Sequence, residues 1–334
     1  MQVSARLIQE VRDRYRVGPR YAQHYLDFWQ RSSGRTCEHL QEILSLPPPS
    51  PMWFDYAMST NERGQELYQI LEPHLPPGAK RYLDVGCGCG GCLVAFRRRG
   101  FDVTGIEIDS ERIALSKSNC EDHGLENAVF GLSILDGQVA KTLGTFDVIT
   151  CMDVIEHVAD PSRALGRMAA LLNPGGLLAL EIPNPESLFF VASDGHFNLF
   201  GITLLERPEA IAYHGQFFSF DYDVGYYGPL GFYESILREL GLRPQVVASP
   251  LHPMRALEET EPLLSGAVRN YRMFLKETAR RLPDALAERI SRAFAAYVAK
   301  FLDDLTKIRE GDSGEESLRN QYLIDFWTLM ARKG

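Results

Sequence analysis

Two rhythms of apolar and polar positions divide this chain. From Gln2 to about Trp29, Val3, Leu7, Ile8, Val11, Tyr15, Tyr21, Tyr25, Leu26 and Trp29 return among charged residues at the spacing of amphipathic helices, and Gly18-Pro19 breaks the pattern in two. The run Pro47-Pro48-Pro49-Ser50-Pro51 cannot continue a helix and predicts a stiff linker. A helix from about Asn61 to His74 follows, stopped by Pro76-Pro77-Gly78. Between linker and helix, Trp53, Phe54 and Tyr56 suit plain packing or the covering of a ligand. The rhythm then shortens. Tyr82 to Val85, Asp102 to Ile108, Ala128 to about Leu132, Phe146 to Met152 and Leu177 to Ile182 are short apolar runs of strand length, and helical patterns follow the first, second and fourth. That alternation predicts an α/β fold. Ser110 is a natural N-cap for a helix running to about His123 and stopped by Gly124, while Asp160-Pro161 opens another that Asn173-Pro174-Gly175-Gly176 ends.

Beyond the fifth run the pattern thickens with aromatics. Pro183 to Gly228 is long and holds Phe189, Phe190, Phe197, Phe200, Tyr213, Phe217, Phe218, Phe220, Tyr222, Tyr226 and Tyr227; beside the carboxyl edge of a parallel sheet such a segment is expected to be a lid or a ligand wall. Pro229 to Leu240 predicts a helix stopped by Gly241, and Gln245 to Ala248 a sixth strand. Pro283-Asp284 opens a helical segment whose Leu286, Ile290, Phe294, Val298, Phe301, Leu302, Leu305 and Ile308 recur every three or four positions until Gly311, and Gly311 to Ser317 predicts a loop. One face of that helix must be buried, against the N-terminal helices, the lid or another subunit.

Charge and cysteines narrow the classes. With 334 residues the chain is long enough for one large domain or two. The net charge of −9 argues against a nucleic-acid groove as the main surface, although the first 36 residues carry seven arginines against three acids. Cys87, Cys89 and Cys92 crowd into a glycine turn with no fourth ligand at short spacing, and Cys37, Cys120 and Cys151 are scattered, so neither a disulfide framework nor a cysteine metal site is expected. Free thiols without a signal peptide predict the reducing cytoplasm, and no run has the apolar length to span a bilayer.

The turn itself carries the strongest chemistry. In the stretch Arg81 to Gly100 an apolar run ending in Asp84 and Val85 meets Gly86, Gly88, Gly90 and Gly91, then an apolar pattern at Leu93, Val94 and Phe96. Such a strand, turn and helix lets backbone N–H groups at a helix N-terminus approach a ligand closely. A dinucleotide site has glycines spaced G-x-G-x-x-G; here they fall at every second position after an acid, D-V-G-C-G-C-G. Asp84 would put negative charge where a pyrophosphate lies, and suits a ligand bearing an ammonium and a sulfonium.

This pattern resembles the first motif of class I S-adenosylmethionine-dependent methyltransferases. The resemblance implies a Rossmann-like sheet of seven strands, the last antiparallel, with Asp84, Gly86, Cys87, Gly88 and Gly90 around the cofactor. Glu107, 23 residues after Asp84 at the end of the second strand, with Ile108 beside it, is then placed to accept both ribose hydroxyls. Many members of the family carry an acid directly after the third strand to meet the adenine amino group; this chain has Ser133 and Ile134 there, with Asp136 three residues after Ser133.

The stretch FDVITCMDVIEHVADPSRALGRMAALLNPGG is similar to the O-methyltransferases of ubiquinone biosynthesis, and the resemblance covers about Lys80 to Asn184. In those enzymes an E-x-x-E-H motif is associated with a divalent metal; here it is D-x-x-E-H, from Asp153 through Glu156 to His157. A helical turn beginning at Asp153 would bring all three to one face, a donor set for Zn²⁺ or Mg²⁺. Asp153 also counts among the cofactor residues. Glu156 and His157 are candidate acid–base groups, and His214 is a candidate base or fourth ligand; capping and packing remain open for each.

A class I sheet needs a final strand, and Gln321 to Arg332 is the candidate. The expected organisation is therefore an N-terminal helical extension, 1–50; a cofactor domain, 51–250 with 319–334, holding the lid 183–228; and a helical insertion, 251–318. The expected activity is methyl transfer from S-adenosylmethionine to a small molecule, at a hydroxyl oxygen. A binding or assembly protein without turnover, and a tRNA or protein methyltransferase, are the alternatives. The helical additions are the expected surface for the acceptor or for a homo-oligomer.

Overall fold

A computed structural model describes residues 3–47, 50–311 and 314–334. Seven strands, β1 (Arg81–Val85), β2 (Asp102–Glu107), β3 (Val129–Gly131), β4 (Phe146–Met152), β5 (Leu172–Pro183), β6 (Leu242–Val247) and β7 (Phe326–Lys333), form one sheet in the order β3-β2-β1-β4-β5-β7-β6. β1 is parallel to both neighbours, with Tyr82 opposite Val103 of β2 and Val148 of β4, and β2 is parallel to β3. The sheet is mixed, with one antiparallel pair, so the expected class of fold holds. Strand order reverses between β1 and β4, which is where doubly wound sheets open a crevice at their carboxyl ends.

By contacts the chain divides into two compact units: Met1–Met152 with Arg167–Ala179 and Arg332–Gly334, and Asp153–Gly166 with Leu180–Ala331. In the first, the helices Ala5–Tyr15, Pro19–Ser33, Leu40–Leu44 and Ser50–Met58 bury Leu7, Val11, Tyr21, Leu26, Trp29, Ile43 and Phe54 together with Leu115 of the helix Ser110–Asp122. Gly18 starts the second of these without a capping side chain; Asp122 supplies it, accepting from the backbone N–H of Arg20 at 3.2 Å and of Tyr21 at 2.9 Å. Satisfying those free N–H groups from another helix fixes the extension onto the unit. The helices Thr60–Leu71 and Gly91–Arg98 meet backbone to backbone: a Cβ on Gly64 would collide with Gly91, and one on Gly91 with the Thr60 carbonyl. Phe96 stacks on Tyr82 with ring centroids 3.7 Å apart, seating the helix after the glycine turn on β1.

In the second unit the helix Asp284–Arg309 buries Ile290, Phe294, Tyr297, Phe301 and Leu305 against Phe200, Phe274 and Tyr322, leaving Leu302 exposed. Asn184, fully buried after β5, donates through Nδ2 to the carbonyls of Asn320, Gln321 and Ile324 at 2.8 to 3.1 Å, tying down the turn before β7.

Several expected boundaries move. Gln321 and Tyr322 end a helix, Glu315–Tyr322, and only Phe326–Lys333 is strand: Leu318 and Tyr322 are buried one helical turn apart, while strand burial begins at Trp327. The expected loop from Gly311 therefore yields to that helix at Glu315; Asp312 and Ser313 lie outside the described residues. Pro48 and Pro49 of the expected linker also lie outside them, and Ser50–Met58 is helical, with Pro51 in its first turn. Trp53 and Tyr56 are exposed there and Phe54 is buried. β5 starts at Leu172, so the Asn173-Pro174-Gly175-Gly176 turn falls within its bounds. The segment 183–228 contains the helices Leu188–Ala192 and Arg207–His214 and much of the second unit's core. No helix among the described residues is long and apolar enough to cross a membrane.

Candidate functional site

The first unit carries the glycine turn. Gly86, Gly88 and Gly90 all have left-handed backbone, with φ of 73°, 52° and 77°, a conformation that residues with a Cβ rarely adopt. The N–H groups of Gly86 and Cys87 fold back onto the Ile106 carbonyl at 2.8 and 3.1 Å, holding the turn against β2. Asp84 lies buried at the base. Thr150 of β4 donates to its Oδ1 at 2.8 Å, and Tyr82 bonds Thr150 at 2.6 Å, a relay fixed by the parallel register. Burial pushes the Asp84 carboxyl up to about 7, with the charge of Glu107 adding to it and the Thr150 bond opposing.

Glu107, only 5% exposed, accepts from Ile108 N at 2.8 Å and Asp109 N at 3.1 Å through Oε1, and from Gly88 N at 3.1 Å through Oε2. Its carboxylate therefore joins the end of β2 to the glycine turn. Ile108 is 75% exposed beside it. Asp109, rather than the expected Ser110, caps the next helix, accepting from Arg112 N at 2.8 Å. The Cys87 side chain is buried with Sγ 3.7 Å from Ser116 Oγ, and burial holds the thiol well above its ordinary pKa. Ser133 takes part in its own turn, Oγ accepting from Leu135 N at 3.2 Å; Ile134 is buried, and Asp136 accepts from Gln138 N at 2.8 Å.

These residues suit an adenosyl sulfonium ligand. A Cβ at Gly88 would meet only the Gly86 carbonyl oxygen, at 4.0 Å, so open space lies over the turn. Glu107 Oε2 carries one hydrogen bond and retains accepting capacity for a hydroxyl.

The second unit carries a different cluster. Glu156 is fully buried, and neither carboxylate oxygen has a hydrogen bond among the described residues. Two imidazoles face it: His157 Nε2 lies 3.7 Å and His196 Nε2 3.6 Å from Glu156 Oε1. Each imidazole is held at its other nitrogen, His157 Nδ1 by the Asp223 carbonyl at 3.1 Å and His196 Nδ1 by the Tyr227 hydroxyl at 2.8 Å. Asp194, buried, accepts from the backbone N–H of His196, Phe197 and Leu199 and so shapes the loop that carries His196. Burial presses the His196 pKa down, but the carboxylates of Glu156, Asp194 and Asp153 outweigh it and the net shift is upward.

Glu156, His157 and His196 each present a ligand atom within 4.8 Å of the others. An orphaned buried carboxylate with two imidazoles whose remaining nitrogens are braced could hold a divalent cation, and two nitrogen donors fit Zn²⁺ better than Mg²⁺.

Asp153 is not in that trio. It has a left-handed backbone, φ 54°, with its N–H on the Glu181 carbonyl at 3.2 Å, and the short helix begins only at Ile155. The expected helical turn from Asp153 therefore does not form, and His196 supplies the third group. His214 is not in the trio either. It is buried against the rings of Phe197 and Phe218, 4.5 and 4.7 Å between centroids, and burial lowers its pKa. His196 and His252, which pairs with Glu181 at 3.1 Å, were not singled out from the sequence, and Tyr227 was named only as one of the aromatics of 183–228; His196 had its place in that segment as a signal, and His252 had none.

A family model described as Methyltransferase domain matches residues 38–243. The ubiquinone biosynthesis O-methyltransferase of Psychrobacter arcticus is 39% identical over 131 residues, 38% of this chain and 50% of that protein. The protein of the same description from Acinetobacter baumannii is 32% identical over 157 residues, 45% of this chain and 66% of that protein. The chain thus spans about half the length of the first of the curated relatives it matches. Among solved structures, a SAM dependent methyltransferase from Archaeoglobus fulgidus has a TM-score of 0.46 at 16% identity, covering 84% of this chain and 98% of that one.

Proposed function

The chain belongs to the methyltransferase domain family, and on that premise we propose that it transfers a methyl group from S-adenosylmethionine to a hydroxyl oxygen of a small molecule. One observation carries the cofactor assignment: the buried Glu107 carboxylate reaches from the end of β2 to the Gly88 N–H, beside an acid set two residues before the first glycine. S-adenosylmethionine, when bound, supplies an electrophilic methyl on a cationic sulfur. Asp84 then balances cationic charge, Glu107 accepts from the ribose hydroxyls, and Ile108 offers an apolar surface to the base. Gly86, Cys87, Gly88 and Gly90 let the backbone approach, and Ser133 and Ile134 complete the proposed contacts of the first unit.

Glu156, His157 and His196 form the proposed site for a divalent cation, zinc before magnesium, which would favour the ionised form of the acceptor oxygen. Positioning the acceptor is worth on the order of 7 to 11 kcal/mol in such a displacement. The aromatic segment 183–228 and the helices of 251–318 are the proposed source of acceptor contacts or of a subunit interface, and a cytoplasmic location is part of the same proposal. Incubating the protein with S-adenosylmethionine and a panel of small phenols, catechols and alcohols, with products identified by mass spectrometry, tests the reading. We expect a methyl ether and S-adenosylhomocysteine in equal amounts. Methylation only at nitrogen or carbon, or no product from any hydroxyl compound, would sink the oxygen assignment.

A further inference from the structure

Two side chains clamp the glycine turn of the first unit. Glu107, at the end of β2, accepts from the Gly88 N–H at 3.1 Å. Asn119, in the helix Ser110–Asp122, donates through Nδ2 to the Cys89 carbonyl at 2.8 Å. Asn119 is fully buried, one helical turn beyond Ser116, which is buried as well. The turn lies directly on that face of the helix, since a Cβ on Gly90 would come within 2.6 Å of Ser116 Oγ. The Cys89 carbonyl and the Gly90 N–H belong to one planar peptide and point opposite ways. The Gly90 N–H is taken by the Cys87 carbonyl at 2.8 Å, inside the turn. Asn119 therefore holds the other side of the same peptide, the one that enters Gly90 at its left-handed φ of 77°.

The amide of Asn119 is itself held in one orientation. A carbonyl only accepts, so Nδ2 must face Cys89 and Oδ1 must face away. Asn61, in the helix Thr60–Leu71, matches both ends: its Oδ1 accepts from Asn119 Nδ2 at 2.9 Å and its Nδ2 donates to Asn119 Oδ1 at 3.2 Å. A buried amide with these bonds made is tolerated in a core, where an apolar side chain would pack without them. What the amide adds over packing is direction at the Cys89 carbonyl. The Glu107 and Asn119 bonds lie on either side of the Gly88–Cys89 peptide in the chain, beside the open space over Gly88. All of these residues belong to the first unit.

We infer that Asn119 is a positioning residue for the cofactor, acting through the Cys89 carbonyl to keep the glycine turn in its receptive shape; this rests on the reading of that turn as the adenosyl site. Asn61 orients the Asn119 amide and touches no part of the turn.

The test uses the full chain, with S-adenosylmethionine affinity read by calorimetric titration, thermal unfolding recorded beside it, and hydrogen exchange followed over residues 86–91 of the free protein. Asn119→Asp removes the donor to Cys89. It should weaken cofactor binding about tenfold and speed exchange in the turn, with bound cofactor restoring protection and kcat at saturating cofactor largely kept. Asn119→Ala puts no charge in the core and carries the same test should the aspartate variant not fold. Asn61→Asp keeps an acceptor for Asn119 Nδ2, so the Cys89 bond survives; affinity should change less than about twofold even where thermal stability falls. An unchanged isotherm and unchanged exchange in the Asn119 variants overturn the inference. So does an equal loss of affinity in Asn61→Asp, since that pattern means helix packing alone. If the wild-type protein binds no S-adenosylmethionine, the reading beneath fails and the inference fails with it before any variant is made.

Discussion

Glu107 and Glu156 are both buried glutamates, the first ending β2 and the second four residues beyond β4, and the two units of the protein treat them oppositely. Glu107 accepts three backbone N–H bonds, whereas Glu156 accepts none among the described residues and is faced only by imidazoles. An ionised carboxylate buried without hydrogen bonds costs several kcal/mol, so such a group is kept where a cation or a proton will meet it. Glu107 is satisfied by its three backbone bonds, so the proposed cofactor turn is held in place before any ligand arrives. Glu156 is left without such bonds, and the proposed cation site rests on that difference.

Changing each glutamate separates the two roles. Glu156→Gln should cut turnover by about 10² or more, through loss of the cation it would hold, and leave cofactor affinity unchanged, as read from steady-state kinetics beside calorimetric titration. Full activity in that variant would make the orphaned carboxylate a packing feature. Glu107→Ala should show the smaller, reverse pattern: cofactor affinity weaker by about 1.5 to 3 kcal/mol, the worth of hydrogen bonds to a charged group, with kcat at saturating cofactor largely kept. An unchanged isotherm would place the ribose elsewhere.

The same contrast explains what the sequence revealed. The turn from Asp84 to Gly91 is local, so its register, its following helix and Glu107 one strand later were all visible as spacing. The sheet followed from runs such as Phe146–Met152, whose bounds needed no adjustment. The Glu156 cluster is assembled from Glu156, His157, His196, Asp223 and Tyr227, separated by up to some seventy residues, and no periodicity links such positions. Asp153 misled because an i, i+3, i+4 pattern presumes a regular helix, while its own left-handed backbone breaks the chain direction just before the helix starts. The last strand was overextended because Gln321 to Arg332 is too short an apolar run to tell helix from strand by alternation. His252 sits in an unpatterned stretch after β6, where only tertiary contacts identify it.

The central claim, that the acid beside the glycine turn receives a cationic adenosyl cofactor, has a direct measurement in calorimetric titration with S-adenosylmethionine between pH 5.5 and 8, with NAD run in parallel. Burial holds the Asp84 carboxyl up to about 7 in the free protein, and a bound cation favours its ionised form. Binding below that pH must therefore release a proton, and affinity should fall by up to about tenfold for each pH unit below about 7 and be flat above it. Asp84→Asn should bind more weakly and lose this dependence. Tight NAD binding with no heat from S-adenosylmethionine at any pH, or an affinity for S-adenosylmethionine independent of pH in the wild-type protein, would contradict the account.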